Sequence, residues 1–231
     1  MSKGSTRRPV VSIAIFGGPG AGAMAAQSIA RMAASGEPVR AAGFLNDALT
    51  VGTLVSDQAV VGTFADWPKL PEDTMFLAPL HKAKAMPERA ARIAGLAIAD
   101  ERWARVIDPA ACVADDAAVD DGSYVGAFAV VDPGAALGRH AAVFPGGQVG
   151  PDAIVGDYVF VGRGAIVSGR CRVRDGAHIG PGAVIGGECT IGRFAVIGAG
   201  AVVLGDVPDH AIVPADPARL AGRPDASANG G

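Results

Sequence analysis

Large aliphatic residues recur at every sixth position through the second half of the chain. The series runs without a gap as Ile107, Val113, Val119, Val125, Val131, Leu137, Val143, Val149, Val155, Val161, Val167, Val173, Ile179, Ile185, Ile191, Ile197 and Val203. A small residue precedes almost every one of them by two positions, with Val159 as the exception inside the run. A period of six fits neither a helix nor one flat strand, and fixed-period repeats are typical of solenoids.

Three such hexads predict one triangular coil, with the aliphatic side chain pointing inward and the small residue at a crowded corner. Side chains 18 positions apart then stack on neighbouring coils at roughly 4.8 Å, the spacing of paired strands. One coil cannot bury its aliphatic residues, whereas a stack buries a continuous column. We therefore predict a parallel β-helix of about five coils over residues 106–207, followed by an exit segment at 208–223. Cys171 and Cys189 fall one coil apart in the small-residue register, which predicts reduced core thiols.

The first part of the chain has a different pattern, with short apolar runs that alternate with helical periodicity. Residues 9–105 predict a small α/β domain with a parallel sheet. Its predicted elements are the strand Val10–Phe16, a helix with Ala25, Ile29 and Met32 on one side, the strands Val39–Leu45 and Thr74–Leu80, and a helix from about Pro87 to Ile93.

A glycine-rich loop, Gly18-Pro-Gly-Ala-Gly22, separates the first strand from the first helix. Backbone N–H groups of such a loop and the helix N-terminus can hold a phosphate. The loop lacks the full dinucleotide-binding spacing, and a tight strand-to-helix turn alone favours glycine. Phosphate contact and a purely structural turn both stay open on the sequence.

The composition narrows the class of protein. The formal net charge is −3 and there is no basic block, so no nucleic acid or anionic membrane partner is expected. No apolar run is long enough to span a bilayer, and no signal-peptide core is present, which favours the cytoplasm. The three cysteines form neither a disulfide framework nor a metal-ligand spacing, so no metal is expected. Residues 1–8 and 224–231 are predicted to be disordered tails.

An α/β domain joined to hexapeptide repeats resembles the sialic acid O-acetyltransferase family, which includes bacterial N-acetyltransferases of nucleotide-linked amino sugars. The segments that carry the resemblance are Ile15–Gly22, Gly43–Asp47, Ile107–Pro109, the hexads, Ile197–Val203, Asp206–Pro208 and Asp216–Arg219. The resemblance implies a Rossmann-like acceptor domain, a left-handed β-helix and a homotrimer. It also implies transfer of an acetyl group from acetyl-CoA, bound between adjacent β-helices, to an amine or hydroxyl of a sugar or nucleotide sugar.

The resemblance assigns site residues by position. His178, Gly187 and Ala199 correspond to positions that line the acyl-CoA groove, and Pro19, Gly20, Ala21, Asn46 and Asp47 correspond to the acceptor or nucleotide site. The family's catalytic His falls on Gly169 and its acidic partner on Arg170. Ala21, Asn46 and Leu80 also replace the family's His, Asp and Gly, so several ligand or catalytic positions are altered beside an intact scaffold.

Gly169 leaves two functions open. The first is an acyl-CoA-dependent acyltransferase in which His178 orients the thioester or substitutes for the missing base. The second is a catalytically silent relative that binds acyl-CoA or a nucleotide sugar, or that serves as a structural trimer partner. Arg170 is expected to form an exposed charge ladder with Asp152 and Glu188, and the three remaining histidines are expected at the solvated surface: His81, His140 and His210.

Overall fold

The computed structural model describes residues 9–215. The predicted tails at 1–8 and 224–231, residues 216–223 of the exit segment and the Asp216–Arg219 motif lie outside it. The N-terminal domain contains a five-stranded sheet in the order β3-β4-β2-β1-β5, and every pairing is parallel except that of β3 with β4. The strands are β1 (Val11–Phe16), β2 (Val39–Leu45), β3 (Leu54–Val55), β4 (Gln58–Gly62) and β5 (Met75–Leu77). The helices are α1 (Ala21–Ala34) and α2 (Met86–Ala94), with 3-10 turns at Phe64–Lys69 and Asp100–Arg102.

The predicted elements of this domain are present, but one hairpin was not foreseen. α1 buries Ala25, Ile29 and Met32, as its periodicity predicts. β3 and β4 are joined by Ser56 and Asp57, both with positive φ, which is the conformation of a type I′ turn. Such a turn normally carries glycine or asparagine. This turn has neither glycine nor asparagine, and the first strand has only two residues, so the usual sequence signal for a hairpin is missing.

From residue 106 onward the chain forms a left-handed parallel β-helix with three flat faces. Face A contains the strands Val106–Ile107, Tyr124–Val125, Ala142–Val143, Phe160–Val161, His178–Ile179, Val196–Ile197 and Ile212–Val213. Face B contains Cys112–Val113, Val130–Val131, Gln148–Val149, Ile166–Val167, Val184–Ile185 and Val202–Val203. Face C contains Ala118–Val119, Ala136–Leu137, Ile154–Val155, Arg172–Val173 and Thr190–Ile191. Among the described residues these make five complete coils and a partial sixth.

The hexad pattern accounts for this architecture. The second residue of each strand points inward, and the aliphatics from Val125 to Ile197 are almost completely buried in one column. Each strand pairs with the strand 18 residues away, for example Val130 with Gln148. Cys171 and Cys189 are buried in this core, as predicted. The third residue of most corners has positive φ, so these corners take glycine or a strained side chain such as His140, Tyr158 or Phe194.

The two domains meet at a buried carboxylate. The side chain of Asp108, at the end of the first face A strand, accepts hydrogen bonds from the Ser28 hydroxyl at 2.6 Å and from the Arg31 guanidinium of α1, at 2.9 Å from Nε. The Ala110 amide bonds its other oxygen at 3.0 Å. Burial raises the pKa of Asp108, but hydrogen bonds from Arg31 and Ser28 outweigh burial and hold the pKa below its usual value. The carboxylate therefore joins α1 to the first coil.

Replacing this carboxylate is expected to destabilise the chain. Asp108→Asn should lower the free energy of unfolding by about 2–3 kcal/mol. The buried Ser28 and Tyr124 hydroxyls lose the carboxylate beside them, whereas the half-exposed Arg31 can still be hydrated, which limits the loss. Urea unfolding followed by tryptophan fluorescence, from Trp67 and Trp103, measures the change. Glu188→Gln, which breaks an exposed ion pair, is the control and should cost under about 1 kcal/mol. Equal losses in the two variants would contradict the assignment.

Candidate functional site

A cavity of about 270 Å³ lies between face A and the segment that leads into α2. His178, Phe194 and Val196 form its β-helix side, and Lys84, Met86 and Pro87 come from the N-terminal domain. His178 reaches it because the first residue of each two-residue strand points outward while the second, Ile179, enters the core. One side of the cavity therefore contains His178, the histidine predicted to contact the acyl donor. The other side comes from residues of the N-terminal domain that the sequence analysis did not predict to lie there.

Gly176 provides the space for this cavity. The third residues of the corner between faces C and A form a column of Gly122, His140, Tyr158, Gly176 and Phe194, spaced by 18 residues. Gly176 has φ +67, and a Cβ there would lie 2.3 Å from the Phe194 ring. The column therefore has a gap directly beside His178, where a side chain would fill the cavity.

His178 is a neutral imidazole in an apolar setting. Its ring stacks on Phe160 with centroids 4.4 Å apart and planes at 8°. Burial lowers the pKa of His178 to about 4. Its Nδ1 atom is buried and has no hydrogen-bond partner among residues 9–215. Near pH 7 this ring can hydrogen-bond a ligand, but its low pKa makes it a weak proton acceptor.

The expectation that His81 and His140 are solvated surface residues is wrong. His140 is only 3% exposed, stacks on Tyr158 at 5.0 Å and meets the edge of Trp103 at 4.6 Å. The His81 Nε2 atom lies 3.0 Å from the His140 carbonyl oxygen, and its ring lies 5.8 Å from Phe160. Both are held at the junction of the two domains, which the repeat pattern alone does not place. His210 is exposed, as expected.

The other donor-side positions lie at different corners of the coil. Gly169 and Gly187 stack at the corner between faces B and C, where a Cβ on Gly187 would lie 3.6 Å from the Gly169 carbonyl oxygen. Ala199 is exposed at the corner between faces A and B, and His178 lies on face A. Within one chain these residues line no common groove. A site that uses all of them requires a second chain.

Arg170 forms an exposed ion pair, as the charge-ladder interpretation predicts. Its Nε and Nη2 atoms bond the Glu188 carboxylate at 3.0 and 2.6 Å. Both side chains are about two-thirds exposed, at 66% and 68%. Asp152, the third member of the predicted ladder, has no side-chain ion pair among the described residues. The guanidinium therefore stabilises its corner weakly.

The acceptor-side loop lies at the carboxyl ends of the parallel strands, where open α/β sheets bind ligands. Pro19 and Gly20 are exposed, and Ala21 begins α1. The Asn46 side chain donates to the Gly17 carbonyl at 2.9 Å, so it ties the loop after β2 to the glycine loop. Leu80 is buried against Gly17, with its Cδ2 atom 3.5 Å from the position of a Cβ there. The Leu80 side chain therefore occupies space beside the glycine loop that a glycine at position 80 would leave empty.

Asp47 points away from the glycine loop. One carboxylate oxygen accepts a hydrogen bond from the Phe64 amide at 2.7 Å, and the other pairs with Arg92 of α2. The Arg92 guanidinium lies 4.0 Å from the centre of the Phe64 ring. These residues border an open cavity of about 690 Å³ together with Trp67. The structure thus brings Asn46 to the loop and Asp47 to a second depression.

Two further observations concern the described residues as a set. Between residues 9 and 215, no group of three or more His, Cys, Asp or Glu side chains is placed to hold a metal ion. Neither helix in that part of the chain has the length and apolarity needed to cross a bilayer.

The chain is thus a left-handed β-helix of hexapeptide repeats joined to an N-terminal α/β domain. Residues 170–205 match the family described as bacterial transferase hexapeptide (six repeats). A comparison with curated protein sequences gives no significant match.

Solved structures match nearly the whole chain. The acetyltransferase domain of PglB from Neisseria gonorrhoeae, solved with acetyl coenzyme A, has a TM-score of 0.77 and 28% identity, covering 91% of this chain and 98% of that one. A variant of perosamine N-acetyltransferase from Caulobacter crescentus, solved with CoA and GDP-perosamine, has a TM-score of 0.77 and 24% identity, with coverages of 92% and 97%. WeeI from Acinetobacter baumannii has a TM-score of 0.74 and 24% identity, with coverages of 91% and 99%. Two of these three structural neighbours are thus acetyltransferases, one solved with acetyl coenzyme A and the other with CoA and GDP-perosamine.

Proposed function

We propose that this chain is an acyltransferase that moves an acetyl group from acetyl-CoA to an amino or hydroxyl group of a sugar or nucleotide sugar. The observation that carries the proposal is the end-to-end likeness to the PglB acetyltransferase domain, which was solved with acetyl-CoA. The α/β domain and the β-helix are both matched, so the likeness extends beyond the repeats. The neutral His178 beside an open cavity supports the same function.

In the proposed reaction the acceptor nitrogen or oxygen attacks the thioester carbonyl carbon. A C–N or C–O bond forms, the C–S bond breaks, and the proton lost by the acceptor ends on the departing CoA thiol. His178 would hydrogen-bond the donor and hold the thioester in place, because its pKa of about 4 makes it a poor base. Gly169 supplies no proton acceptor, so catalysis would depend chiefly on positioning and on backbone N–H donors to the oxyanion.

The proposed site uses two protomers. Gly169 and Gly187 lie at one corner of the coil, whereas His178 lies on face A and Ala199 at another corner. A homotrimer of parallel β-helices would bring the first corner of one protomer to face A of its neighbour, with acetyl-CoA between them. Sedimentation equilibrium tests the assembly, and a monomer would leave this groove unbuilt.

A second candidate function rests on Gly169 itself. A relative without catalytic activity would keep the acyl-CoA groove and lose only the base. Two measurements separate the candidates: isothermal titration with acetyl-CoA, and single-turnover thioester cleavage with amino-sugar acceptors. Binding with cleavage supports the enzyme, binding without cleavage supports the silent relative, and no binding of acetyl-CoA contradicts both.

His178→Phe tests the donor contact. The substitution keeps a ring on Phe160 and removes both nitrogens, so the fold should persist while acetyl-CoA binds about tenfold more weakly. Isothermal titration measures the dissociation constant. Gln148→Ala is the matched control, since Gln148 occupies the equivalent outward position on face B and is exposed. An unchanged affinity in His178→Phe would remove His178 from the proposed site.

A further inference from the structure

Face C carries an open groove lined by arginines. A depression of about 550 Å³ is bordered by Ile154, Arg172, Arg174 and Arg193. It adjoins a second depression of about 400 Å³, with which it shares Arg174 and Asp209. Together the two depressions form one groove across the lower coils.

The arginines of this groove are not all paired with its acidic residues. Arg193 pairs with Asp175 at 3.3 Å, and Arg174 lies 3.8 Å from Asp209, at the limit of an ion pair. The Arg172 side chain has no hydrogen bond and no ion pair within residues 9–215. Asp206 also lines the second depression, so three carboxylates face three guanidinium groups, but none of these carboxylates forms an ion pair with Arg172.

The ladder explanation that suits Arg170 does not apply to Arg172. The residues one coil above and below Arg172 on face C are Ile154 and Thr190, neither of which is acidic. Arg174 has Gly156 and Gly192 at the equivalent positions, and these leave room at the corner. Arg172 and Arg174 point outward two positions apart, roughly 7 Å along the strand direction. Two like charges held at that distance favour a bound anion.

We propose that Arg172 and Arg174 bind the phosphate groups of the acyl-CoA donor. Guanidinium groups bind phosphate oxygens through paired, charge-assisted hydrogen bonds. Ile154, 45% exposed beside Arg172, offers an apolar contact for the nucleoside end of the donor. The inference rests on the proposed function, since it takes the donor to be acyl-CoA. It adds the groups that hold the non-reacting end.

We expect phosphate contacts remote from the thioester to contribute equally to ground-state and transition-state binding, and such uniform binding lowers KM without changing kcat. Arg172→Ala/Arg174→Ala is expected to raise the dissociation constant and KM for acetyl-CoA about tenfold to 100-fold, with kcat unchanged. Turnover of acetyl-pantetheine, which lacks the phosphates, should be the same in variant and wild type. Binding of adenosine 3′,5′-bisphosphate should weaken in the variant and fall with added salt in the wild type.

Arg40→Ala/Arg105→Ala is the matched control, because it removes the same charge from exposed positions outside the groove. It should leave the acetyl-CoA dissociation constant within about twofold of wild type. Equal acetyl-CoA affinity in the groove variant and wild type would overturn the proposal and leave the proposed acyltransferase untouched. Arginine-dependent binding without acyl transfer would support the groove and contradict the enzyme. A wild type that binds no acetyl-CoA would overturn both.

Discussion

Gly169→His is expected to raise the rate of acetyl transfer by about 10²–10⁴-fold, the usual contribution of a positioned general base. By resemblance, Gly169 occupies the position of the base that takes the proton from the attacking amine or hydroxyl. An exposed imidazole has a pKa near 6.5, which suits proton transfer at neutral pH better than the value of about 4 at His178. The new side chain would restore a function that His178 cannot supply.

The corner can accept this substitution. The φ angle of Gly169 lies outside the left-handed region, so a side chain causes no backbone strain there. A Cβ would lie 3.1 Å from the Pro151 carbonyl oxygen, and a shift of a few tenths of an ångström relieves that contact. Residue 169 is partly exposed, which leaves the imidazole room to turn toward a neighbouring protomer.

The matched control is Gly205→His. Gly205 lies at the corresponding place of the same corner two coils further on, and a Cβ there would meet nothing within 4 Å. Single-turnover acyl transfer is measured for wild type and both variants with amino-sugar acceptors. A rise confined to Gly169→His supports the assignment of the base position. Equal rates in all three proteins would show that the resemblance does not extend to this residue.

The sequence predicts the architecture well because the repeat is regular. Each inward aliphatic from Val125 to Ile197 lies where its register requires, and the left-handed β-helix is confirmed. The hairpin β3–β4 was missed because its turn uses Ser56 and Asp57 instead of glycine. The six-residue period therefore predicts the β-helix, which depends on stacking of equivalent residues. It gives no information on the hairpin, which depends on one local turn.

The site could be predicted only in part, for a related physical reason. Spacing by 18 residues places Phe160 beside His178, and that pair could have been found from the repeat. Burial of His81 and His140 depends on how the α/β domain packs on face A, and this contact has no sequence signature. The same holds for Lys84 and Pro87, which close the cavity from the other domain.

Acidification from about pH 6.5 to pH 4 is expected to destabilise the folded chain through these histidines. Burial lowers the pKa of His81, His140 and His178 to about 4, whereas an unfolded histidine titrates near 6.5. Between those values the unfolded chain binds more protons than the folded chain, so stability rises with pH across the window and is level above it. For the buried His140 alone, the difference corresponds to about 3 kcal/mol.

His140→Asn tests the source of this dependence. His140 has φ 56, a backbone conformation that asparagine tolerates, so the corner can keep its shape. The variant should be less stable than wild type at pH 7.5, because it loses the contacts with Trp103 and Tyr158. Its unfolding free energy should fall less between pH 6.5 and pH 4. Urea unfolding at several pH values measures both quantities.

The matched control is His210→Asn, since His210 has φ 61 and is exposed. This variant reports the effect of the same substitution at an exposed corner position with the same backbone conformation. The Asp108 carboxylate does not affect this comparison. Its pKa is lowered, so the stability that it contributes is lost only below about pH 4. If His140→Asn kept the wild-type slope, the acid sensitivity would have to come from groups other than the histidine between Trp103 and Tyr158. The domain junction would then tolerate a charged imidazole, contrary to the burial that the structure assigns to it.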